Sequence, residues 1–218
     1  MELAGRATSL ARRRALFTQG MTAGRREIGK QNFKQLQGEF WGWLETRPYM
    51  RARSGLAHTL MQMGEVDAAI GHFREMLRLN PNDNQGVRWT LLGCLMRQGA
   101  TGPVEELLAA YEDDDSVHWV YGRVLLAFQA GAQDSRRMAM VLKNALRVNA
   151  HVPAILAGTT PPVRSPGGYI TVGGADEATC YAGECGDLLR ATPGAVEWLV
   201  QVSAGLRTSK SPKLRLPP

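Results

Sequence analysis

The sequence lacks any long apolar run and contains few cysteines. Its longest uninterrupted apolar stretches are about five residues, whereas a membrane-spanning helix needs about 18 or more. The three cysteines (Cys94, Cys180 and Cys185) are too few for a disulfide framework, and no segment resembles a secretory signal. We therefore expect no membrane span and a cytoplasmic, reducing location.

Neither composition nor length is unusual for a globular chain. Of the 218 residues, 44% are hydrophobic and 21% are charged, close to the averages for folded domains. Such a composition excludes wholesale disorder, collagen and coiled coil. The length suits one domain with a short appendage.

Positive charge is concentrated at the two ends of the chain, although the overall net charge is only +6. Residues 1–53 hold 11 lysines and arginines against 4 acids, and residues 54–203 hold 11 against 16. Residues 204–218 hold four bases and no acid, and we predict a disordered basic tail there. Basic ends can contact nucleic acid or an anionic surface, but a solvated basic helix is the commoner explanation.

Residues 1–37 are assigned to a basic N-terminal helix. Leu10, Phe17, Met21 and Ile28 recur at helical spacing, which favours an amphipathic helix over about residues 7–29 that packs on the adjoining repeats. The six arginines and single acid of the first 26 residues also overlap in composition with a mitochondrial transit peptide. We favour the packed helix.

An internal repeat runs through the middle of the chain. The tetrapeptide LRLN at Leu77–Asn80 recurs as LRVN at Leu146–Asn149, 69 residues later. Leu56 and Leu92, each followed by a small residue, lie 36 residues apart. A period near 34 is typical of the tetratricopeptide repeat, a helix-turn-helix unit.

Three repeat units are predicted within residues 38–158. In the first, Met50–Asp83, the small residues Ala57 and Ala69 allow two helices to approach. Phe73 fills the groove between the helices, Gly64 lies in the turn and Pro81 ends the unit. Arg53 stands where this repeat usually has tryptophan. The second unit contains Trp89, Leu92 and Gly93, a turn at residues 99–103 and a short helix through Tyr111; the third has helices through Trp119–Phe128 and Met138–Leu146.

The chain resembles bacterial tetratricopeptide proteins over roughly residues 40–199, and more remotely the suppressor of tumorigenicity protein 7 family. The segments that carry the resemblance are Gly55–Ile70, Asn149–Leu156 and Gly174–Leu199. It implies a helical repeat scaffold without established biochemical activity, and no catalytic residues come with it. The segment LFTQGMTAGRREIG also resembles the second helix of a preceding repeat, so residues 1–37 have an alternative interpretation as a repeat remnant.

Residues 159–203 are predicted to form a loop and helices that cap the repeats. Proline and glycine pairs between residues 161 and 174 mark the loop, in which residues 169–172 could be extended. One helix is expected from Ala175 to Leu189, and Thr192-Pro193 is a start signal for another. Together these features predict an all-α fold, a right-handed α-solenoid of about three helix pairs with an N-terminal basic helix and a C-terminal helical cap.

No motif in the sequence supports catalysis, a cofactor or a metal. Gly24–Lys30 matches GxxxxGK, but Gln31 replaces the hydroxyl residue and no strand precedes the motif. The four histidines form no triad pattern, and we interpret Cys180 and Cys185 as small core residues. Asp113–Asp115 are interpreted as capping residues, with Asp115 or Ser116 as the N-cap of the next helix.

An aromatic cluster precedes the first unit. Trp41 and Trp43 lie close to Arg47, Arg51 and Arg53, which are residue types that binding surfaces favour. We interpret the two tryptophans as burying the junction between the basic helix and the repeats, and leave the role of the arginines open.

The predicted function is that of a non-catalytic scaffold that binds a protein or peptide in a concave groove. The candidate groove residues come from the first helix of each unit: Arg51, Ser54, His58, Met61, Thr90, Cys94, Arg97, Val120 and Val124. Ser54 and His58 occupy positions where the carboxylate clamp of chaperone-binding repeats has Lys and Asn, so a chaperone C-terminus is not expected. The alternative function is nucleic-acid or anionic-surface binding through the basic ends.

Overall fold

The structure, a computed structural model, describes residues 9–164 and 167–208. Within these residues the chain forms twelve α-helices, one 3-10 helix and no strand. The predicted all-α class is therefore confirmed, whereas residues 169–172 are irregular rather than extended in a strand. The chain divides into two compact units, Met1–Ala100 and Thr101–Pro218.

The described residues of unit 1 form five α-helices and a 3-10 helix. They are α1 (Leu10–Ile28), α2 (Lys30–Gln35), the 3-10 helix (Leu44–Thr46), α3 (Arg47–Gln62), α4 (Val66–Leu79) and α5 (Val87–Arg97). Helix α3 lies at the centre, because it contacts α1, the 3-10 helix and α4, while α5 packs against α4.

The basic N-terminal helix α1 packs directly on α3. A Cβ at Gly24 would lie 3.0 Å from the Cβ of Tyr49, and one at Gly55 would lie 2.3 Å from the ring of Phe17. Glycine at these two positions lets the helices approach closely. The helix begins after Ser9, whose side chain accepts a hydrogen bond from Arg12 N (3.2 Å), and residues 7 and 8 of the predicted helix lie outside the described residues.

Helices α3 and α4 form the helix-turn-helix that was predicted for the first repeat unit, Met50–Asp83. Ala57, Ala69 and Phe73 are fully buried, in agreement with their assignment as small and large packing positions. Arg53, in the position expected for tryptophan, instead donates to the Tyr49 hydroxyl from Nε (3.1 Å) and a terminal nitrogen (2.7 Å).

Unit 2 contains seven described helices. They are α6 (Thr101–Ala110), α7 (Val117–Gln129), α8 (Arg136–Val148), α9 (Val152–Leu156), α10 (Ala175–Glu184), α11 (Gly186–Ala191) and α12 (Ala195–Thr208). Helix α7 contacts α6, α8 and α10, and α9 contacts α10, α11 and α12. Ser116 caps α7 by accepting from Trp119 N (3.4 Å), and Ser135 caps α8 by accepting from Met138 N (3.0 Å).

Four helices end in the same way. After α3, α5, α7 and α9, a glycine with positive φ donates to the third residue back, and the next residue donates to the fifth residue back. This pattern is the Schellman motif, in which glycine adopts the left-handed conformation at no steric cost. The four glycines are Gly64, Gly99, Gly131 and Gly158, with φ values of 80°, 66°, 71° and 69°.

The C-terminal helices differ from the prediction in three ways. The helix expected from Ala175 to Leu189 is broken at Cys185, whose φ of −129° and ψ of −2° leave the helical region. The last helix begins at Ala195 rather than at Thr192-Pro193, and Thr192 donates its hydroxyl to Leu188 O (2.9 Å) instead of capping. The tail was expected from residue 204, but α12 runs to Thr208; residues 209–218 lie outside the described residues.

Candidate functional site

Most of the predicted groove residues of α3 are accessible. Arg51 and His58 are exposed, and Ser54 and Met61 are half-buried. Their spacing of three, four and three residues keeps them on one face of the helix. The Arg51 guanidinium lies 5.8 Å from the ring of Trp41, so an aromatic side chain supports one end of this face.

His58 has a fixed orientation on this face. Its Nδ1 lies 2.8 Å from the Ser54 carbonyl oxygen, and its ring packs edge-on against Phe73 with centroids 5.2 Å apart. Because a carbonyl oxygen can only accept, Nδ1 is the protonated nitrogen of the neutral ring.

Helix α5, which also belongs to unit 1, supplies two further predicted groove residues, Thr90 and Arg97. Thr90 is half-buried and Arg97 is exposed. The two helices meet where Cys94 Sγ lies 3.8 Å from Met61 Sδ. We call the accessible residues of α3 and α5 the α3–α5 face: Arg51, Ser54, His58, Met61, Thr90 and Arg97.

Three predicted groove residues are buried and cannot contact a partner in the folded chain. Cys94 is 2% exposed, and Val120 and Val124 are each 1% exposed. Helix α7 packs against α6, α8 and α10, which leaves little of its surface for a ligand. Their assignment to an accessible groove is therefore wrong.

The Cys94 thiol is also poorly suited to react. Burial raises its pKa, and the positive charge of Arg97 opposes that shift only in part. A thiolate is the nucleophilic form of cysteine. The thiol therefore stays protonated near neutral pH.

The other cysteines and the aromatic cluster differ partly from the predictions. Cys185 is buried as expected, but Cys180 is exposed and is not a core residue. Trp43 is 49% exposed and does not bury a junction. Trp41 is half-buried, and its carbonyl oxygen accepts from Arg47 Nε (2.9 Å). Among the described residues, no group of three or more His, Cys, Asp or Glu side chains could hold a metal ion.

One histidine–carboxylate pair occurs in unit 2. His118 Nε2 lies 2.7 Å from Glu184 Oε2, and this hydrogen bond is the main reason that the pKa of Glu184 is lowered. The His118 ring also packs edge-on against Tyr181 at 5.4 Å. Burial raises the pKa of Tyr181 well above its ordinary value, so that its phenol remains protonated. The pair joins α7 to α10.

The GxxxxGK segment forms helix rather than a phosphate-binding loop. Helix α1 continues to Ile28, and Gly29 N donates to Arg25 O (3.2 Å). A phosphate-binding loop requires backbone N–H groups that are free to meet the phosphates. The amides of the motif up to Gly29 are instead used within α1.

The side chains of that segment nevertheless line a cleft that the sequence did not lead us to predict. The cleft has a volume of about 650 Å³ and lies where α1, α2 and α4 meet. Its charged lining consists of five bases and one acid: Arg25, Arg26, Lys30, Lys34, Arg78 and Glu75. We call it the basic cleft. The four-residue spacing of Lys30 and Lys34 was the available signal, since it places them on one stripe of α2.

No described helix is both long and apolar enough to cross a membrane.

No known protein family, curated protein or solved structure with which the chain was compared matches it. The repeat interpretation therefore depends on the residues and helices of this chain alone.

Proposed function

We propose that this chain is a tetratricopeptide-like repeat protein whose α3–α5 face binds an acidic or amphipathic segment of a partner protein. The observation that carries the proposal is the Schellman motif that ends α3, α5, α7 and α9 at Gly64, Gly99, Gly131 and Gly158. Recurrence of one helix-ending signal at intervals near 30 residues is typical of helix-turn-helix repeats.

Buried positions support the same interpretation. Helices α4 and α8 bury corresponding positions 69 residues apart: Ala69 and Met138, Phe73 and Leu142, Met76 and Ala145, and Asn80 and Asn149. An offset of 69 is about twice the tetratricopeptide period. The first helix of such a unit is the one that usually lines the ligand groove.

The chemistry of the α3–α5 face suits an acidic or amphipathic segment. Arg51 and Arg97 are exposed cations, and Met61 offers a half-buried, adaptable apolar surface between them. Arginine is enriched among residues that dominate binding free energy. A partner segment that presents carboxylates and apolar side chains would complement this face.

The alternative, nucleic-acid binding along the basic N-terminal helix, has less support. Residues 15–24 of α1 carry no charge, Arg14 pairs with Glu65 (2.6 Å) and Arg13 donates to Gln62 (3.0 Å). A nucleic-acid backbone is usually bound along a continuous basic track. The basic residues of α1 instead form two separate groups.

The test begins with capture and identification of the partner from the native organism, using the full chain as bait. The affinity of the purified partner is then measured for the wild type and for Arg51→Glu/Arg97→Glu. We expect a loss of about 30-fold or more, because even one hot-spot residue contributes about 2 kcal/mol or more and about 1.4 kcal/mol corresponds to a factor of ten. The matched control is Arg12→Glu/Arg136→Glu, which makes the same charge change at exposed sites and should leave affinity nearly unchanged.

Circular dichroism checks that each variant is folded. If the control weakens binding as much as the α3–α5 variant does, the α3–α5 face is not the site. If nucleic acid binds and Arg12, Arg13 and Arg14 dominate its affinity, the scaffold proposal is wrong.

A further inference from the structure

The basic cleft carries an excess of positive charge that the described residues do not neutralise. Its one acid, Glu75, forms a bidentate pair with Arg78, with distances of 2.7 and 2.8 Å. The hydrogen bond from Arg78 is the main reason that the pKa of Glu75 is lowered, so the carboxylate stays ionised and matched to Arg78. Within the described part of the chain, Arg26, Lys30 and Lys34 have no ion-pair partner.

The fold, rather than sequence proximity alone, brings these cations together. Gly29, with φ of 75° and ψ of 157°, separates α1 from α2, so that bases from both helices line one cleft. The Arg25 guanidinium lies 4.6 Å from the centroid of the Phe33 ring and is held there. Arg78 reaches the cleft from α4 and also donates to Gln37 (2.8 Å).

Size and isolation indicate a small ligand. A volume of about 650 Å³ lies in the range of about 300–1,000 Å³ that small-molecule sites occupy. The uncharged residues 15–24 separate the cleft from the arginines at the start of α1. The cleft is therefore a compact positive site rather than part of an extended track.

Charge balance selects the chemistry of the ligand. Five bases and one acid leave the lining with a net charge of +4. A single carboxylate would neutralise little of this charge, whereas a group with two or more phosphates carries about three or more negative charges near neutral pH. Arginine forks and lysine ammonium groups are the side chains that bind phosphate oxygens most effectively.

We infer that the basic cleft binds a small ligand with two or more phosphate groups, through Arg25, Arg26, Lys30 and Lys34. This site is separate from the α3–α5 face and does not depend on the proposed function. These side chains, rather than the backbone amides that a phosphate-binding loop uses, supply the contacts.

The experiment is isothermal titration calorimetry of the full chain with inorganic tripolyphosphate in magnesium-free buffer. The test variant is Arg26→Gln/Lys30→Gln, which removes two exposed cations without an ion-pair partner in the described structure. We expect affinity to fall by about tenfold or more, because two charge-assisted contacts are lost. The control, Arg12→Gln/Lys143→Gln, removes one arginine and one lysine from exposed sites elsewhere and should change affinity by less than about twofold.

Absence of tripolyphosphate binding, or an equal loss in both double variants, would overturn the inference. Tighter binding of a hexaglutamate peptide would overturn it in favour of an acidic protein segment, and tighter binding of a single-stranded oligonucleotide would do so in favour of nucleic acid. If tripolyphosphate binds and only Arg26→Gln/Lys30→Gln lowers its affinity, adenosine triphosphate and inositol trisphosphate are compared next. Preference for one or the other identifies a nucleotide or a phosphorylated polyol as the source, and binding of neither identifies polyphosphate itself.

Discussion

The helix pair α3–α4 and the helix pair α7–α8 share the way their first helices end but fill the space between helices differently. Helix α4 buries Ala69, Phe73 and Met76, and at the corresponding positions α8 buries Met138, Leu142 and Ala145. Large and small residues are exchanged between the first and third positions. The comparison teaches that buried apolar positions and the helix-ending signal, rather than residue identity, specify the pair.

The two pairs also end in similar tetrapeptides, LRLN and LRVN, that lie in different surroundings. Asn80 and Asn149 both end their helices by donating a backbone N–H four residues back (2.9 Å each), and both are buried. Asn149 has further partners in unit 2: its side chain donates to Gly174 O and Glu177 Oε2, and its carbonyl oxygen accepts from the Tyr121 hydroxyl. A local signal thus ends the helix, and long-range contacts decide what the asparagine is bonded to.

The largest expected loss of stability comes from replacing Phe73, the packing residue that differs between the two pairs. Phe73→Ala should lower the free energy of unfolding by about 3–5 kcal/mol, since it removes a fully buried aromatic ring and leaves a cavity. Leu142→Ala, at the corresponding position of α8, should cost about 2–5 kcal/mol and less than the Phe73 variant. Urea denaturation monitored by circular dichroism measures both.

A cost below about 1 kcal/mol for Phe73→Ala would mean that the ring is not a core residue and that the repeat register is wrong. A larger cost for Leu142→Ala than for Phe73→Ala would instead show that the two positions are not equivalent.

Local signals explain how much of the fold could be predicted from sequence. Helical periodicity located α1, α3, α4, α7 and α8, and Gly64 was placed in the turn between α3 and α4. Burial of Phe73 and Ala69 was predicted from the large and small packing positions of the repeat. These features depend on a few neighbouring residues, so one sequence contains enough information to predict them.

Long-range contacts explain the errors. Val120 and Val124 have the same spacing as surface residues of a groove, but contact of α7 with three other helices is not encoded in that spacing. The basic cleft was missed because Arg78 comes from α4, far along the chain from Arg25 and Lys30. The break at Cys185 was missed because no proline marks it.

The next prediction tests whether the Schellman motif stabilises both helix pairs to the same extent. Gly64→Ala and Gly131→Ala should each lower the free energy of unfolding by about 1–2 kcal/mol, because both glycines have positive φ and alanine is strained there. Each added methyl would meet open space, so the cost is conformational. Thermal and urea unfolding provide the measurement.

Gly71→Ala is the matched control for these glycines. Gly71 lies within α4, is exposed and has nothing within 4 Å of an added Cβ. Its replacement should raise stability by about 0.5–1 kcal/mol, because alanine favours the helix. Destabilisation at Gly64 alone would show that the two pairs do not depend on the same signal.

The smallest expected effect concerns His72, a half-buried histidine of α4. Burial lowers its pKa from the ordinary value of 6.5, and the charge of Arg53 adds to this effect while Glu75 opposes it. Its Nδ1 is buried and has no hydrogen-bond partner among the described residues. Protonation of the ring is therefore less favourable in the folded chain than in the unfolded one.

Because the folded-state pKa lies below the unfolded value, the unfolded chain binds the proton more tightly, and stability is lost as pH falls from above 6.5 through the lowered pKa. We expect the free energy of unfolding to fall less between about pH 7.5 and about pH 5 in His72→Gln than in the wild type. His151→Gln, at an exposed site in unit 2, is the control and should keep the wild-type pH dependence. If His72→Gln retains the full wild-type decrease, protonation of His72 does not destabilise the α3–α4 pair.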